Sequence, residues 1–172
     1  VHRASTVDLT ETIGLQGQLS PAAIGLFRRV VEAHDPDIVH AHNRFFFTSL
    51  VAAGWKLLIR TDRPLVTTFH LGSVNDIEGP GGVAARLFES SVGRALTTAS
   101  DALVSVSDAV AEEAARLDVG ETPTHVVPNG VDADQFHPPA ADTRTGDTIV
   151  FVGRLIRNKG PDVLIESIPR VV

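Results

Sequence analysis

Residues 37–70 read DIVHAHNRFFFTSLVAAGWKLLIRTDRPLVTTFH. Ile38 to His42 is a short strand in this reading. Phe45 to Arg60 is apolar and helical in length. Asp62-Arg63-Pro64 turns the chain, and Leu65 to Phe69 is β-branched and aromatic, the composition of a buried strand. Strand, helix and strand in this order form the repeating unit of an α/β fold.

The alternation continues in both directions. Upstream, Ser20-Pro21 is a helix start, with serine at the N-cap and proline at the first helical position. Ile24, Phe27, Val31 and His34 follow at helical spacing, and Asp35-Pro36-Asp37 ends that helix. Downstream, His70 to Gly82 holds four glycines and a proline and reads as a loop. Val83 to Thr98 reads as a helix and Asp101 to Val106 as a strand. Ser107 then caps a helix running to about Leu117, and His125-Val126-Val127 is a last short strand. Such alternation predicts a parallel sheet with helices on both faces. Ligands of these sheets bind at the carboxyl ends of the strands, a rule that singles out His42, His70, Ser107 and the loop after Val127.

From Pro128 to Asp147 prolines and aspartates dominate, as in a linker. Thr148 to Val152 reads as a new strand, followed by Gly153-Arg154-Leu155, Lys159-Gly160 and a helix opening at Pro161. The expected organisation is a first domain over 1–138, a linker over 139–147, and the first strand–helix unit of a second domain over 148–172.

Bulk properties narrow the chemistry. With 172 residues, 43 % apolar, the chain can bury a sizeable core. The net charge of −6 is opposite to that of a protein built to coat nucleic acid, so no nucleic-acid partner is expected. Cysteine is absent, which excludes disulfides, thiolate metal sites and cysteine nucleophiles. Methionine is absent too, so the natural start is expected to be processed or missing. No apolar run approaches the roughly 20 residues of a membrane span, which predicts a cytoplasmic protein.

Four constellations could carry chemistry. Gly153, Arg154 and Lys159 lie between an expected strand and a helix start, where backbone N–H groups favour an anion. Arginine can grip a diphosphate through two parallel hydrogen bonds, and lysine adds a point charge; a solvated loop with incidental basic residues is the plainer alternative. His70, at a strand's carboxyl end, could touch a substrate or move a proton, or simply bond the loop backbone. His40 and His42 share one strand face and could bind zinc in a metal-dependent hydrolase, but a catalytic zinc needs a third ligand and no HExxH pattern exists. Pro128-Asn129-Gly130-Val131-Asp132 is a turn signal. There is no GxGxxG after a strand, no Walker A sequence and no GxSxG.

Taken in order, Asp37-Ile-Val-His-Ala-His42, Thr67-Thr-Phe-His70, Val104-Ser-Val-Ser107, Val127-Pro-Asn-Gly-Val-Asp132 with Phe136, and Val152-Gly-Arg-Leu155 with Lys159-Gly160 resemble the family-4 group of GT-B glycosyltransferases. The similarity runs from about Asp37 to Val172. It implies a GT-B-type architecture of two Rossmann-like domains, the second truncated here, facing a cleft. The first domain would bind acceptor and the second most of a nucleotide-diphosphate sugar.

By the same resemblance, Arg154 and Lys159, with Gly153, hold the donor diphosphate and stabilise the leaving nucleotide. His70 lies near the donor sugar as the catalytic residue, and Ser107, Asn129 and Gly130 line the cleft. The reaction retains anomeric configuration and uses neither cofactor nor metal. The acceptor is a glycan, a lipid carrier or a small molecule, and peripheral contact with the inner face of the membrane fits a lipid acceptor. The family's glycine-rich turn after its first strand and its Glu-x7-Glu motif are missing from the sequence, so the chain is expected to be a fragment, inactive alone. A nucleotide-sugar epimerase on the same fold, or a non-catalytic relative, are the alternatives. Product release without an acceptor would mark the first, and the lack of the glutamate pair in a longer parent the second.

Overall fold

A computed structural model describes residues 1–8, 18–59, 61–70, 79–117, 119–138, 148–155 and 159–170. Its first element is a short antiparallel pair, β1 (Val7–Asp8) with β2 (Gln18–Leu19). Helix α1 (Pro21–His34) follows. Ser20 stands at its N-cap as expected, but its hydroxyl donates to Ser5 O at 2.6 Å and does not cap the helix. That bond ties the N-terminal segment to the helix start. Asp35 closes α1 in the left-handed conformation (φ 44°), its N–H returning to Val31 O at 3.0 Å. Aspartate tolerates this backbone better than most residues with a Cβ.

The main sheet is built from β3 (Val39–His42), β4 (Leu65–Phe69), β5 (Ala102–Ser105) and β6 (Thr124–Val126), in that spatial order and all parallel. Helix α2 (Phe47–Ile59) connects the first two strands. A continuous helical stretch connects the next two: α3 (Gly79–Phe88), a π-helical turn (Glu89–Gly93) and α4 (Arg94–Ala99). Helix α5 (Asp108–Ala115) lies between β5 and β6.

Two-residue alternation divides the sheet into faces. Ala41, Leu65, Thr67, Phe69, Leu103 and Ser105 share one face through the strand register, and all are buried. Against it pack Ala52 and Ala53 of α2, Leu96 and Ala99 of α4, and Val110 and Ala114 of α5. Phe27 of α1 joins this layer and meets Trp55 edge-on, with ring centroids 5.6 Å apart. The parallel sheet flanked by helices is thus the expected α/β fold, and both hydrophobic clusters lie on this face. His40, His42, Val66, Thr68, Ala102 and Val104 point the other way.

Polar groups fix the lower edge of this layer. The Asp101 carboxylate accepts from Leu65 N–H at 2.7 Å and pairs with Lys56 Nζ, which also donates to Arg63 O at 3.1 Å. Burial alone would push the Asp101 carboxyl up. The hydrogen bonds from Lys56 and Leu65, with the Lys56 charge, outweigh burial and hold it below the usual carboxylate value.

The helix after the glycine-rich stretch starts at Gly79, not at Val83. Proline is welcome in a first helical turn, where its missing N–H would have no partner. Residues 71–78 of the expected loop, and the whole expected linker 139–147, lie outside the described residues.

The chain divides into two compact units, Val1–Gly130 and Val131–Val172. In the second, the Asp132 side chain accepts from the backbone N–H groups of Asp134 (3.0 Å) and Gln135 (3.2 Å) and shapes a turn. Thr148 to Val152, expected as a strand, forms no strand pairing among the described residues. Helix α6 (Pro161–Ser167) runs into a 3-10 turn, Ile168–Arg170. No described residue of this unit is buried; Val152 is 91 % and Leu155 81 % exposed.

Candidate active site

The carboxyl ends of β3 and β4 bring His42 and His70 together. His42 is the last residue of β3 and His70 the first beyond β4. His42 Nδ1 lies 3.0 Å from His70 Nε2, and the rings stack with centroids 5.3 Å apart. His40, two residues before His42, shares its face, with ring centroids 4.3 Å apart. His40 Nε2 lies 2.7 Å from Thr68 Oγ1. Burial lowers the pKa of His40, and the charges that His42 and His70 can carry lower it further. The fold therefore favours the neutral form of His40.

The turn after β3 is held tightly. Asn43, buried and left-handed (φ 67°), donates its N–H to Thr68 O at 2.8 Å. Its side-chain oxygen accepts from Phe45 N–H at 3.1 Å, and its carbonyl accepts from Ser49 Oγ at 2.8 Å. Asparagine suits both the left-handed backbone and the local side-chain bond. This turn aims β3 into α2 and fixes His42 beside His70.

Arg44 comes next and is buried at 2 % exposure. It pairs with Glu89 of the π-helical turn, Nε donating to Oε1 at 2.9 Å. Its guanidinium also stands over the rings of Phe45 (4.5 Å) and Phe69 (5.1 Å). Phe69 immediately precedes His70, so this ion pair braces the floor of the site. A π-helical turn inside a helix often marks a functional position; here it carries the Arg44 partner. Beside it opens a cleft of about 400 Å³ lined by Arg44, Arg86, Glu89, Arg94, Glu113 and Arg116.

Ser107 caps α5, its Oγ accepting from Val110 N–H at 3.3 Å, so its hydroxyl already has a structural task. Asn129 and Gly130 follow β6 and are exposed. In the second unit Gly153, Arg154 and Lys159 are all exposed. A Cβ on Gly153 would come within 3.3 Å of the Phe151 ring, tight enough to explain a glycine there. Gly160 precedes α6 in the left-handed conformation (φ 67°).

His40 and His42 share a face, but among the described residues no group of three histidines or carboxylates is placed to hold a metal ion. No helix among them is long and apolar enough to cross a membrane.

Asn43, Arg44 and Glu89 were not marked by sequence reasoning. An asparagine between a strand and a helix is a signal that could have found the first. Arg44 and Glu89 are 45 residues apart and carry no local signal.

A parallel Rossmann-like sheet with two histidines in contact at its carboxyl edge defines an α/β domain with its candidate site where such sheets bind ligands. The profile of Glycosyltransferase Family 4 matches residues 9–135, and the chain belongs to that family. It is 34 % identical over 175 residues to a D-inositol 3-phosphate glycosyltransferase of Xylanimonas cellulosilytica, covering 90 % of this chain and 40 % of that protein. A protein of the same name from Jonesia denitrificans is 33 % identical over 172 residues, covering 90 % and 39 %. D-inositol 3-phosphate glycosyltransferase 2 of Catenulispora acidiphila is 32 % identical over 178 residues, covering 92 % and 39 %. The chain thus spans about two fifths of the length of these relatives.

Proposed function

We propose that this chain supplies the acceptor-side domain and the start of the donor-side domain of a retaining glycosyltransferase that uses a nucleotide-diphosphate sugar. The observation that carries the reading is His70, set at the carboxyl end of β4 in a member of Glycosyltransferase Family 4. In this reading His70 faces the donor sugar. Arg154 and Lys159 hold the diphosphate and offset the charge that develops on the leaving nucleotide, with Gly153 giving the backbone close approach. No metal takes part. Ser107, Asn129 and Gly130 shape the cleft.

The relatives' names point to inositol phosphate as acceptor.

The test is sugar transfer from a panel of nucleotide-diphosphate sugars to inositol phosphate, by the gene product carrying a complete second domain. Transfer with retention, unaffected by chelator, is expected. His70→Ala should lower turnover more than nucleotide affinity. Full turnover in that variant would take His70 out of the chemistry, and release of a free epimerised sugar without acceptor would favour the epimerase alternative.

A further inference from the structure

The bonds between β3 and β4 on the outer face repeat a pattern. The strand register pairs His40 with Val66 and His42 with Thr68. Each histidine reaches past its partner to the side chain two residues on: His40 to Thr68 at 2.7 Å and His42 to His70 at 3.0 Å. Diagonal neighbours on one sheet face are within reach of long side chains in this way. His70 lies just outside the strand, beyond the last backbone pairing of β3 with β4. Its imidazole is therefore held from the β3 side by the His42 ring.

We infer that His42 is a positioning residue for the reaction, fixing the orientation of the His70 ring by committing its Nε2 to the hydrogen bond between them. This rests on the reading that places His70 at the sugar. An Nδ1···Nε2 contact of 3.0 Å is a hydrogen bond with one proton between two nitrogens. If His42 donates, the neutral His70 keeps its proton on Nδ1 and presents a donor. If His70 donates from Nε2, its Nδ1 is a lone pair and presents an acceptor. Either arrangement commits Nε2 to His42, so the bond holds the ring whichever nitrogen carries the proton. A ring without this partner would be free to turn about its side-chain bonds.

His42 is itself held in place. Its own strand is anchored by the pairing with β4 and by the turn at Asn43, whose N–H binds Thr68 O. The His42 backbone carbonyl also accepts from Ser49 Oγ at 3.1 Å. The group that orients His70 is thus itself oriented.

The experiment combines two readouts on His42→Ala and His42→Asn, since the asparagine amide can place a polar atom near the position of Nδ1. First, 15N shifts of the His70 ring are measured in the 172-residue chain. A His70 Nε2 shift displaced by the hydrogen bond is expected in the parent chain, a shift free of it in His42→Ala, and a partial return in His42→Asn. Second, transfer is measured in the gene product with a complete second domain. His42→Ala should lower kcat about tenfold, the loss of roughly one hydrogen bond, with KM for the donor nearly unchanged and partial rescue in His42→Asn. If His70→Ala abolishes turnover while His42→Ala changes neither the His70 Nε2 shift nor kcat, the positioning role is overturned and the placement of His70 stands. If His70→Ala keeps full turnover, the placement of His70 fails and the role of His42 in the reaction fails with it.

Discussion

Arg44 and Glu89 form a buried ion pair that joins the turn after β3 to the π-helical turn between α3 and α4. Both side chains are nearly inaccessible, so each depends on the other to offset its lost hydration. Removing Glu89 takes a paired carboxylate away from a buried guanidinium.

Glu89→Ala should therefore destabilise the chain by about 3–5 kcal/mol. Urea unfolding of the 172-residue chain measures this directly. Arg44→Met combined with Glu89→Leu should cost less than Glu89→Ala alone, because no charge is then left behind. A loss under about 1 kcal/mol in Glu89→Ala would mean that water reaches the arginine after all.

His40 gives the fold a defined response to acid. Its pKa is lowered in the folded chain, so between that lowered value and its ordinary value of 6.5 the unfolded chain binds more protons. Stability then rises with pH across this window. The cost is absent above the ordinary value and complete below the folded one. The melting temperature should fall between pH of about 7.5 and about 5, and fall less in His40→Gln. An equal fall in both proteins would show that His40 does not contribute.

Ser107→Ala removes the hydroxyl that caps α5 and should cost about 1 kcal/mol, whereas Ser107→Asp should retain the stability. Thermal unfolding distinguishes the two variants. Loss of turnover in Ser107→Ala without loss of stability would show instead that the hydroxyl acts on substrate.

For the donor site, Arg154→Ala and Lys159→Ala should each weaken nucleotide-diphosphate binding by about 1.5–3 kcal/mol in a protein with a complete second domain. That is roughly ten- to a hundredfold in Kd by calorimetry. Unchanged affinity in both variants would remove these residues from the site.

The sheet was readable in the sequence because its signals are local. Leu65 to Phe69 is β-branched, apolar and bounded by Pro64 and a glycine-rich stretch, and the strand has those limits. Pro21 opens α1 and Ser107 caps α5 as their residue types predict. The strand-end rule likewise marked both His42 and His70 before their contact was known.

Other features depend on partners far away in the chain. Ser20 occupies an N-cap position, yet its hydroxyl goes to Ser5, fifteen residues back. Gly79 and Pro80 look like loop residues, but a first helical turn accepts both. Thr148 to Val152 has strand composition, yet a strand exists only against a neighbour, and none pairs with it among the described residues. The link from Arg44 to Glu89 spans 45 residues and turns on burial, which composition does not reveal.

The spatial order of the main sheet is also its order in the chain, β3 to β6. Each strand after the first pairs with the one made just before it, so none must be held open for a partner not yet synthesised. A nascent chain can therefore extend this sheet one strand at a time as it leaves the ribosome, laying each connecting helix down as it goes. Register partners lie 26 (Val39 to Leu65), 36 (Val66 to Ala102) and 21 (Leu103 to Thr124) residues apart, and closure entropy grows only slowly with such lengths.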